Sequence, residues 1–451
     1  MRVHFIAIGG SAMHNLAIAL HKKGYIVSGS DDEIREPSLT RLAQQGLLPQ
    51  TIGWNVNTIT TDLQAVVLGM HARADNPELL RAQELGLKIY SYPEFLYEAT
   101  KDKTRIVIGG SHGKTTITSM ILHVLKLRNI KFDFMVGAQI KGFDTMVELH
   151  NDTKFAIFEG DEYLASPIDR RPKFHLYHPH IAVLSGVAWD HINVFPTYEI
   201  YEQQFVKFLG CIEPSGKLFY CNNDAPLAKV VAQKPATLDA QAYSLPNYTI
   251  ANGTTTLHIN NVDYALNVFG QHNLYNLQAA QLVCAEIGVS EHDFYTAIQS
   301  FDGAAKRLEI VKKTANWILF KDFAHSPSKV QATLQAVREQ YHDYNIVACL
   351  ELHTFSSLNE NFLLEYASTL NNASVACVYF NPQVLAHKQL KPITTAQVQQ
   401  SFNNPALHVF TQSAEVVNFI TAQNSTKTVY LLMSSGNFDG VDFNQLANQI
   451  V

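Results

Sequence analysis

The sequence predicts an α/β protein with mostly parallel sheets. Strand-like apolar runs alternate with helical patterns along the 451 residues, and such alternation is typical of β-α-β units. Glycine turns join strand to helix at Gly9–Gly10 and at Gly109–Gly110. The length is sufficient for two or three domains with cores of their own. Ligands of such sheets bind beyond the carboxyl ends of the strands, so functional residues are expected there.

Composition and charge narrow the possible functions. Hydrophobic residues make up 47% of the chain and charged residues 16%, which indicates a globular protein. The net charge is -6 without a basic block, so nucleic acid is not expected as a partner. Five scattered cysteines without a Cys-x-x-Cys pair favour a reducing compartment and no structural zinc. With no apolar stretch of bilayer length, we expect a cytoplasmic protein without membrane contact and without an obligate protein partner.

The first hundred residues repeat a strand-helix scheme. The stretch VHFIAIGG is a strand that opens onto a glycine turn, and SAMHNLAIALHKKG is a helix closed by Gly24. YIVSGSDD is a second strand with a polar end, and Asn76-Pro77 starts a later helix. The polar stretch LYEATKDKT is typical of a linker. A first domain is therefore predicted over residues 1–103.

The stretch IVIGGSHGKTTITSMI predicts a phosphate-binding loop. A β-branched run meets glycines and Gly-Lys-Thr-Thr, and an apolar helical pattern follows. Backbone N–H groups and a helix N-terminus hold the anion, while Lys supplies a charge and Thr a hydroxyl for Mg²⁺. The strict pattern also requires a glycine six residues before the lysine, where this chain has Ile108. The predicted nucleotide-binding residues of the loop are Gly110, Ser111, His112, Gly113, Lys114, Thr115 and Thr116.

Two further strand ends carry residue types that bind metals. Glu159 ends the apolar run KFAIFE, and His191 follows HIAVLSGVAWD. Mg²⁺ prefers hard oxygen ligands. Taken alone, the acid could equally be a helix cap and the histidine a structural group. Their shared place at strand ends of the domain that contains the phosphate loop favours a functional role, and this central domain is predicted over residues 104–303.

The remaining chain predicts a small antiparallel element and a third α/β block. TIANGTTTLHINNVDYALNVFG is typical of short antiparallel strands around the turn Asn252–Gly253. GQHNLYNLQAAQLVCAEIG returns to a helical pattern. Strands and helices then alternate to the end of the chain, which predicts a third domain over residues 304–451.

Six motifs in a fixed order carry a family resemblance. They are GGSHGKTT, EGDEY, WDHINVF, GQHNLYNLQAA, FDGAAKRLE and KDFAHSP. This set resembles the Mur ligase family, the ATP-dependent amide ligases of peptidoglycan assembly, and the resemblance covers essentially the whole chain. It implies a Rossmann-like UDP-binding N-terminal domain, a central P-loop ATPase-type domain and a Rossmann-like C-terminal domain that binds the acceptor. It also implies ATP and Mg²⁺ as cofactors, and UDP-N-acetylmuramate with an amino-acid or peptide acceptor as substrates.

The resemblance leaves two acceptors in competition. One branch of the family adds L-alanine, and another attaches the tripeptide L-alanyl-γ-D-glutamyl-meso-diaminopimelate during cell-wall recycling. The stretch DEYLASPIDRRPKFHLYHP resembles the recycling pattern Asp-Glu-Tyr … Asp-x-Arg-x-Lys-Phe … Tyr. Ser326 replaces a histidine of the alanine-adding branch, and His353, Ser356 and Ser357 stand where that branch carries arginines. Recycling is therefore preferred over alanine addition; a non-catalytic nucleotide-sugar sensor and a P-loop NTPase that moves a partner protein are further alternatives.

The resemblance implies a two-step reaction and assigns roles to residues. ATP phosphorylates the lactoyl carboxylate, and the acceptor amine then displaces phosphate. Lys114 offsets phosphate charge, Thr115 holds one Mg²⁺, and Glu159 with His191 holds a second. Arg307 contacts the ATP phosphates and Asp322 the ribose, with His325 near the reacting atoms; these three lie near or beyond the second boundary, so domain closure is expected to complete the site.

The resemblance also assigns residues to the adenine and to the UDP sugar. Asn273 and Asn276 match adenine contacts, although Asn at such positions is commonly a helix cap. Lys207 lies about where several relatives carry a carbamylated lysine, but an exposed helix lysine is the favoured interpretation. The predicted UDP-sugar residues are Gly9, Gly10, Ser11, Met13, Ser30, Asp31, His71 and Asn76.

Overall fold

The computed structural model describes residues 1–251, 253–304, 307–423 and 427–450. Over these residues the chain folds into helices and mostly parallel sheets, so the predicted α/β class is confirmed. Contacts divide the chain into two compact units. The first unit comprises Met1–Val187, Thr197–Ser244 and Ala279–Ser290, and the second comprises Ala188–Pro196, Leu245–Gln278 and Glu291–Val451. The domain boundaries near residues 103 and 303 stay predictions.

The first unit begins with a four-stranded parallel sheet in the order β2-β1-β3-β4. Its strands are β1 (Arg2–Ile6), β2 (Ile26–Ser30), β3 (Ala65–Leu68) and β4 (Ile89–Ser91). Its helices are α1 (Ser11–Lys22), α2 (Ser38–Gln44), α3 (Pro77–Glu84) and α4 (Tyr92–Thr100), with a 3₁₀ turn at Val56–Thr58. Strand β1 is central, so the turn that follows it lies at the middle of the carboxyl edge of the sheet.

The start of α3 agrees with the sequence prediction, whereas α4 includes residues 96–100 of the stretch LYEATKDKT, so the prediction of a linker is wrong for that part. The Asn76 side chain accepts hydrogen bonds from the backbone N–H groups of Glu78 and Leu79, and Pro77 occupies the first turn of α3. Ser91 and Glu94 form a reciprocal capping box at the start of α4.

A second sheet of the first unit has seven strands in the order β11-β10-β9-β5-β8-β6-β7. Pairing is parallel except between β6 and β7. The strands are β5 (Thr104–Gly109), β6 (Phe132–Met135), β7 (Val147–Glu148), β8 (Phe155–Glu159), β9 (Ile181–Leu184), β10 (Lys217–Cys221) and β11 (Asp239–Tyr243). Helices α5 (Lys114–Leu127), α6 (Tyr198–Leu209) and α7 (Ala225–Val231) connect them, with a 3₁₀ turn at Lys173–Leu176. The strand order reverses beside β5, and ligands of open α/β sheets bind at such a point.

The second unit contains a small antiparallel sheet in the order β12-β13-β14, as the sequence predicts. Its strands are β12 (Tyr248–Ala251), β13 (Thr254–Ile259) and β14 (Val262–Leu266). Asn252 of the predicted Asn-Gly turn lies outside the described residues. The helices α8 (Gln271–Glu286) and α9 (Glu291–Ile298) follow.

The largest sheet of the second unit has six strands in the order β15-β16-β20-β17-β18-β19. Only the described pair β15-β16 is antiparallel in this sheet. The strands are β15 (Glu309–Lys313), β16 (Trp317–Asp322), β17 (Asn345–Glu351), β18 (Val375–Tyr379), β19 (His408–Phe410) and β20 (Thr428–Met433). The helices are α10 (Pro327–Gln340), α11 (Pro382–His387), α12 (Thr395–Ser401), α13 (Ser413–Thr421) and α14 (Phe443–Gln449), with a 3₁₀ turn at Phe362–Tyr366.

Apolar clusters cover both faces of this sheet. Phe320 and Leu431 belong to one cluster, while Leu319 and Leu432 belong to the other. Successive residues of a strand point to opposite faces, so burial on both sides produces the continuous apolar runs seen in these strands.

Among the described residues, none of the helices combines the length and apolar character that crossing a membrane requires.

Candidate active site

The phosphate loop lies at the carboxyl end of β5. Strand β5 ends at Gly109 and helix α5 begins at Lys114, as the motif predicts. Gly113 precedes the helix in a left-handed conformation, with φ of 80°, and caps it without a side-chain hydrogen bond. The first N–H groups of a helix have no partner within the helix, and together with the helix dipole they favour a bound anion.

The departure from the strict motif has a structural reason. Ile108 is a fully buried residue of β5, paired with Glu159 of β8 and Val183 of β9. The loop turns only after it, at Gly110, which has φ of 121°. A Cβ atom on Gly110 would lie 2.2 Å from Ser185 Oγ, so glycine is required where the loop packs against the end of β9.

Lys114 is held by an acid that the sequence analysis did not single out. Its Nζ donates to Gly110 O at 2.7 Å and to Glu162 Oε2 at 2.6 Å. The side chains of Lys114 and Glu162 are 14% and 1% exposed. Burial opposes the charged form of Lys114, but the Glu162 and Asp161 carboxylates outweigh it and raise the pKa of Lys114.

A tyrosine connects this pair to the loop. Tyr201 of α6 donates from its hydroxyl to Glu162 Oε1 at 3.1 Å, and its oxygen lies 2.9 Å from Ser111 Oγ. Glu162 could have been found from the sequence as the third acid in EGDEY. Tyr201 follows Ser111 by ninety positions in the chain, and nothing near it in the sequence marks it.

Glu159 and Thr115 come together beside the loop. Thr115 Oγ1 donates to Glu159 Oε1 at 3.0 Å, and Gly137 N donates to Glu159 Oε2 at 2.9 Å. Burial raises the pKa of Glu159, while these hydrogen bonds and Lys114 act against the shift. A buried carboxylate next to a hydroxyl offers the hard oxygen ligands that suit Mg²⁺.

Few of the described side chains beside the loop are suited to bind a metal ion. The described residues contain no group of three or more His, Cys, Asp or Glu side chains arranged to hold a metal ion. Mg²⁺ commonly keeps several waters and binds substrate phosphates besides one or two carboxylates, so Thr115 and Glu159 fit the ion as partial ligands. His191, the third predicted ligand, belongs to the second unit.

His191 and its neighbours form a charged group in the second unit. His191 has φ of 55°, and its backbone N donates to the Asp190 carboxylate at 2.8 Å. Lys329 Nζ of α10 lies 3.6 Å from Asp190 Oδ2. Burial opposes the charged form of Asp190, but Lys329 and His191 outweigh it and lower the pKa of Asp190 to about 2. The acid is therefore ionised at neutral pH.

His325 lies after β16 in the same unit. Its Nδ1 lies 2.8 Å from Phe323 O, and Tyr366 donates a hydrogen bond to its backbone carbonyl. Burial and the charge of Lys329 lower the pKa of His325 to about 4. The imidazole is therefore neutral at neutral pH and can bind a ligand without adding a positive charge.

Asp322 and Arg307 lie close to His325 in the chain and in the fold. The Asp322 carboxylate accepts hydrogen bonds from Leu308 N at 2.6 Å and from Ala324 N at 2.7 Å. The Arg307 guanidinium lies 5.4 Å from the ring centre of Phe323. The structure thus brings together three predicted site residues, although the Asp322 oxygens are already used by the backbone.

The predicted adenine residues lie on α8. Asn273 and Asn276 are buried, and Asn273 Nδ2 donates to Phe269 O at 2.8 Å. An N-cap side chain accepts a hydrogen bond from the backbone. Because Asn273 donates this one, the bond is not a helix cap. Lys207 is exposed in the last turn of α6. Its carbamylation stays a prediction.

In the N-terminal glycine turn, an acidic side chain contacts the backbone of the turn rather than a lysine. Asp31 Oδ2, at the end of β2, accepts a hydrogen bond from Gly9 N at 2.6 Å. Burial raises the pKa of Asp31, although hydrogen bonds from the backbone of Gly9 and Glu33 act to lower it. The turn continues directly into α1, where Ser11 is exposed and Met13 is buried.

The other predicted UDP-sugar residues are more dispersed. Ser30 donates its hydroxyl to the fully buried Glu78. Asn76 is engaged in capping α3, and His71 is exposed after β3. The structure therefore joins Gly9 to Asp31 but shows a structural role for Asn76, and the assignment of these residues to the sugar nucleotide stays a prediction.

Family comparisons agree with this geometry. The family description "Mur ligase family, catalytic domain" matches residues 2–104, and "Mur ligase middle domain" matches residues 108–284. The UDP-N-acetylmuramate–L-alanine ligase of Caldicellulosiruptor bescii is 31% identical over 387 residues, which cover 83% of this chain and 82% of the relative. The UDP-N-acetylmuramate–L-alanyl-γ-D-glutamyl-meso-2,6-diaminoheptandioate ligase of Haemophilus influenzae is 27% identical over 451 residues, covering 97% of each.

Solved structures share the fold. The murein peptide ligase of Psychrobacter arcticus has a TM-score of 0.65 at 21% identity and covers 100% of this chain and 98% of that one. The UDP-N-acetylmuramate–alanine ligase of Thermotoga maritima has a TM-score of 0.68 at 20% identity, and the match covers 97% of this chain and 96% of that one. The two similarities are nearly equal, so the fold does not distinguish between their acceptors.

Proposed function

Because the chain belongs to the Mur ligase family of ATP-dependent ligases that form C–N bonds, we propose that it joins UDP-N-acetylmuramate to a peptide. The bond links the lactoyl carboxylate of the sugar to the amine of L-alanyl-γ-D-glutamyl-meso-diaminopimelate. The observation that carries the ligase chemistry is the pairing at the end of β5 and β8, where Lys114 lies in the phosphate loop and Thr115 contacts Glu159.

The chemistry requires two steps. A lactoyl oxygen attacks the γ-phosphorus of ATP, the bond to the β-phosphate oxygen breaks, and ADP leaves. The acceptor amine then attacks the acyl carbon, the C–O bond to phosphate breaks, and the amine gives up a proton. The first step brings two anions together, so Lys114 contributes by offsetting negative charge on the transferred group.

Mg²⁺ belongs to this proposal as a partner of the phosphates. Thr115 would bind one ion through its hydroxyl, and Glu159 would bind a second through its carboxylate, with His191 as a further predicted ligand of the second ion. The bound ion would supply charge neutralisation of the phosphate oxygens. The raised pKa of Glu159 reflects a buried carboxylate whose charge is only partly compensated, and a cation would complete that compensation.

The remaining residue roles are proposals of the same kind. Arg307 would bind ATP phosphates, and Asp322 the ribose. His325 would act as a neutral group near the reacting atoms, as its lowered pKa allows. Asn273 and Asn276 would contact adenine. Lys207 and the UDP-sugar residues Gly9, Gly10, Ser11, Met13, Ser30, Asp31, His71 and Asn76 complete the proposed set.

The choice of acceptor rests on a hairpin that follows β8. Its two arms are joined by Ala165 N donating to Arg171 O at 2.9 Å, and its tip by Ser166 N donating to Asp169 O at 3.0 Å. Lys173 Nζ at its base lies 2.6 Å from Asp161. These residues belong to the segment that resembles the recycling pattern, which begins two positions after Glu159. This supports a peptide acceptor.

Addition of L-alanine is the second candidate. The observation that favours it is the relative of Caldicellulosiruptor bescii, which is 31% identical and is described as an L-alanine ligase. The substitutions Ser326, His353, Ser356 and Ser357 weigh against it. A nucleotide-sugar sensor is less well supported, because Lys114, Thr115 and Glu159 are all present and in contact with loop or strand-end groups.

The test is a competition between acceptors. Purified protein receives Mg-ATP and UDP-N-acetylmuramate with L-alanine, with the tripeptide, or with both, and phosphate release and product masses are recorded. We expect the tripeptide adduct and little alanine adduct. The reverse result would establish alanine addition. Binding of the sugar nucleotide without either product would favour the sensor. We also propose a cytoplasmic location, where ATP and the sugar nucleotide are available.

A further inference from the structure

A buried carboxylate that is absent from the predicted site holds the loop lysine. We propose that Glu162 is a positioning residue that aims the Lys114 ammonium at the nucleotide phosphates, and that Tyr201 ties Glu162 to the loop. The inference deepens the proposed function, because it assumes that the loop binds ATP. Glu162 is not proposed to touch the nucleotide.

The donor geometry of Lys114 is the first argument. An ammonium group has three N–H donors. One is directed to Gly110 O at 2.7 Å and one to Glu162 Oε2 at 2.6 Å. Fixing two donors restricts the direction of the third, on a side chain that otherwise rotates freely about four carbons. Since Gly110 belongs to the loop itself, the ammonium is anchored within the phosphate-binding turn.

The surrounding acids have different partners. Three carboxylates raise the pKa of Lys114, namely Glu162, Asp161 and Glu159. Asp161 accepts from Lys173 Nζ at 2.6 Å, while Glu159 accepts from Thr115 and Gly137. Glu162 is the acid in direct contact with Lys114. Each acid therefore has a different partner. Glu159 contacts Thr115 and Gly137, Asp161 contacts Lys173 at the base of the hairpin, and Glu162 contacts Lys114.

The second oxygen of Glu162 is also fixed. Tyr201 OH donates to Oε1 at 3.1 Å and lies 2.9 Å from Ser111 Oγ, and the ring of Tyr201 packs edge-on to Phe205 at 5.2 Å. Both Tyr201 and Glu162 are buried. The carboxylate is thus clamped from two sides, and α6 is linked to Ser111 through a single hydroxyl. A clamped acceptor is what precise orientation of a flexible lysine requires.

The kinetic test uses Glu162→Gln, Glu162→Asp and Tyr201→Phe. Gln keeps the size and can accept from Lys114, but it removes the charge. We expect kcat to fall about tenfold while the KM for ATP changes less than about threefold, because orientation matters most in the transition state. Asp restores the charge but is one methylene shorter, so we expect it to recover kcat in part, to about threefold above that of the Gln variant. Tyr201→Phe should lower kcat less than Gln does.

A matched control separates positioning from stability. Asp133 is a buried carboxylate in the same sheet, and it pairs with Lys103 Nζ at 2.6 Å. Asp133→Asn breaks an equally buried Lys–carboxylate pair, so we expect a lower melting temperature with an unchanged kcat. If Glu162→Gln lowers the melting temperature but not kcat, or if Glu162→Asp restores no part of kcat, Glu162 is structural and the proposal is wrong.

A second readout does not depend on the ligase reaction. The wild type and Glu162→Gln are labelled with acetic anhydride, and acetylation of Lys114, whose ammonium is held by Gly110 and Glu162, is measured by mass spectrometry. Loss of the acid should make Lys114 react several-fold faster, and Mg-ATP should protect it. Equal labelling would overturn the proposal. If the wild type shows no turnover with either acceptor, the proposed function fails, and labelling still decides whether Glu162 holds Lys114.

Discussion

The two glycine turns of the first unit have the same order of strand, turn and helix, but a side chain of opposite charge contacts each one. Each follows a central parallel strand and leads into a helix, at Gly9–Gly10 and at Gly110–Gly113. In the N-terminal turn, Gly9 N is bound by the protein's own carboxylate, Asp31. In the phosphate loop, the ammonium of Lys114 donates a hydrogen bond to Gly110 O at 2.7 Å. The two turns thus share a strand-turn-helix arrangement and differ in the sign of the charged side chain that contacts each one.

A glycine turn alone does not identify a ligand. Backbone N–H groups and a helix N-terminus favour anions in both places. In the first turn the N–H groups of Ala7 and Ile8 donate to Ser30 O, at 2.9 and 3.0 Å, and Gly9 donates to Asp31. These donors are already satisfied by the protein. Both following helices begin without a side-chain cap, and what the second turn adds is a lysine.

Removing the distinguishing charge should have the largest effect. For Lys114→Ala we expect phosphate release to fall about 10²–10³-fold, the range seen when one donor to a developing anionic charge is lost. The matched control is Lys131→Ala, which removes an exposed lysine paired with exposed Asp152. The control should keep its rate within about twofold, because exposed pairs contribute little. Steady-state rates measure both, and a Lys114 variant with a normal rate would contradict the assignment of the loop.

The shape of the two turns can be compared by adding one methyl group. In Gly110→Ala the new Cβ would lie 2.2 Å from Ser185 Oγ at φ of 121°, so we expect a loss of about 2 kcal/mol of folding free energy and a large loss of turnover. Gly10→Ala has ordinary φ of -57° and its nearest neighbour at 3.4 Å. Denaturant unfolding should show a much smaller change for Gly10→Ala. Equal losses would mean that the loop conformation is not what makes Gly110 necessary.

The hydroxyl of Thr115 should affect metal dependence more than stability. Thr115→Val replaces the hydroxyl that donates to Glu159, and we expect the Mg²⁺ concentration for half-maximal rate to rise about tenfold. Thr118→Val on the same helix removes a buried hydroxyl that has no hydrogen-bond partner within the described chain. The Mg²⁺ titration of Thr118→Val should match the wild type. A parallel shift in both variants would indicate a general effect on α5 rather than a ligand.

Substitution of Asp31, the acid of the N-terminal turn, should produce the smallest effect, which is a change in how the free energy of unfolding depends on pH. Burial raises the pKa of Asp31 in the folded state, so its contribution to stability is present below the unfolded pKa and is lost as pH rises through the folded pKa. Asp31→Asn should not show this loss, so its stability relative to the wild type should increase as pH rises from about 4, the ordinary pKa of Asp. Denaturant unfolding between pH 4 and 8, on the order of one point per half unit, would show it. The opposite slope would mean that the folded state favours the ionised acid.

The sequence predicts those parts of the site that depend on neighbouring residues. Strand β5, the loop and α5 follow from one continuous pattern, and Asn76-Pro77 correctly predicts the start of α3. The side chain of Asn76 accepts the capping hydrogen bond, and its assignment to the sugar nucleotide stays a prediction. The motif departure at Ile108 matters little, since that residue is part of the strand.

What the sequence did not predict depends on distant contacts. Glu162 meets Lys114 because β8 pairs with β5, and Tyr201 meets Ser111 because α6 lies beside the loop. Both contacts join segments that are far apart in the chain. The capture of Gly9 by Asp31 likewise joins two strand ends. Local patterns carry no information on such pairings, because they are set by which strands become neighbours.

Whether the phosphate loop activates the sugar carboxylate is tested most directly by isotope transfer. UDP-N-acetylmuramate labelled with ¹⁸O in the lactoyl carboxylate is incubated with Mg-ATP and the tripeptide, and the released phosphate is analysed by mass spectrometry. Attack of a lactoyl oxygen on ATP followed by amine displacement predicts one ¹⁸O in each phosphate released. Product formation with unlabelled phosphate would contradict activation through an acyl phosphate.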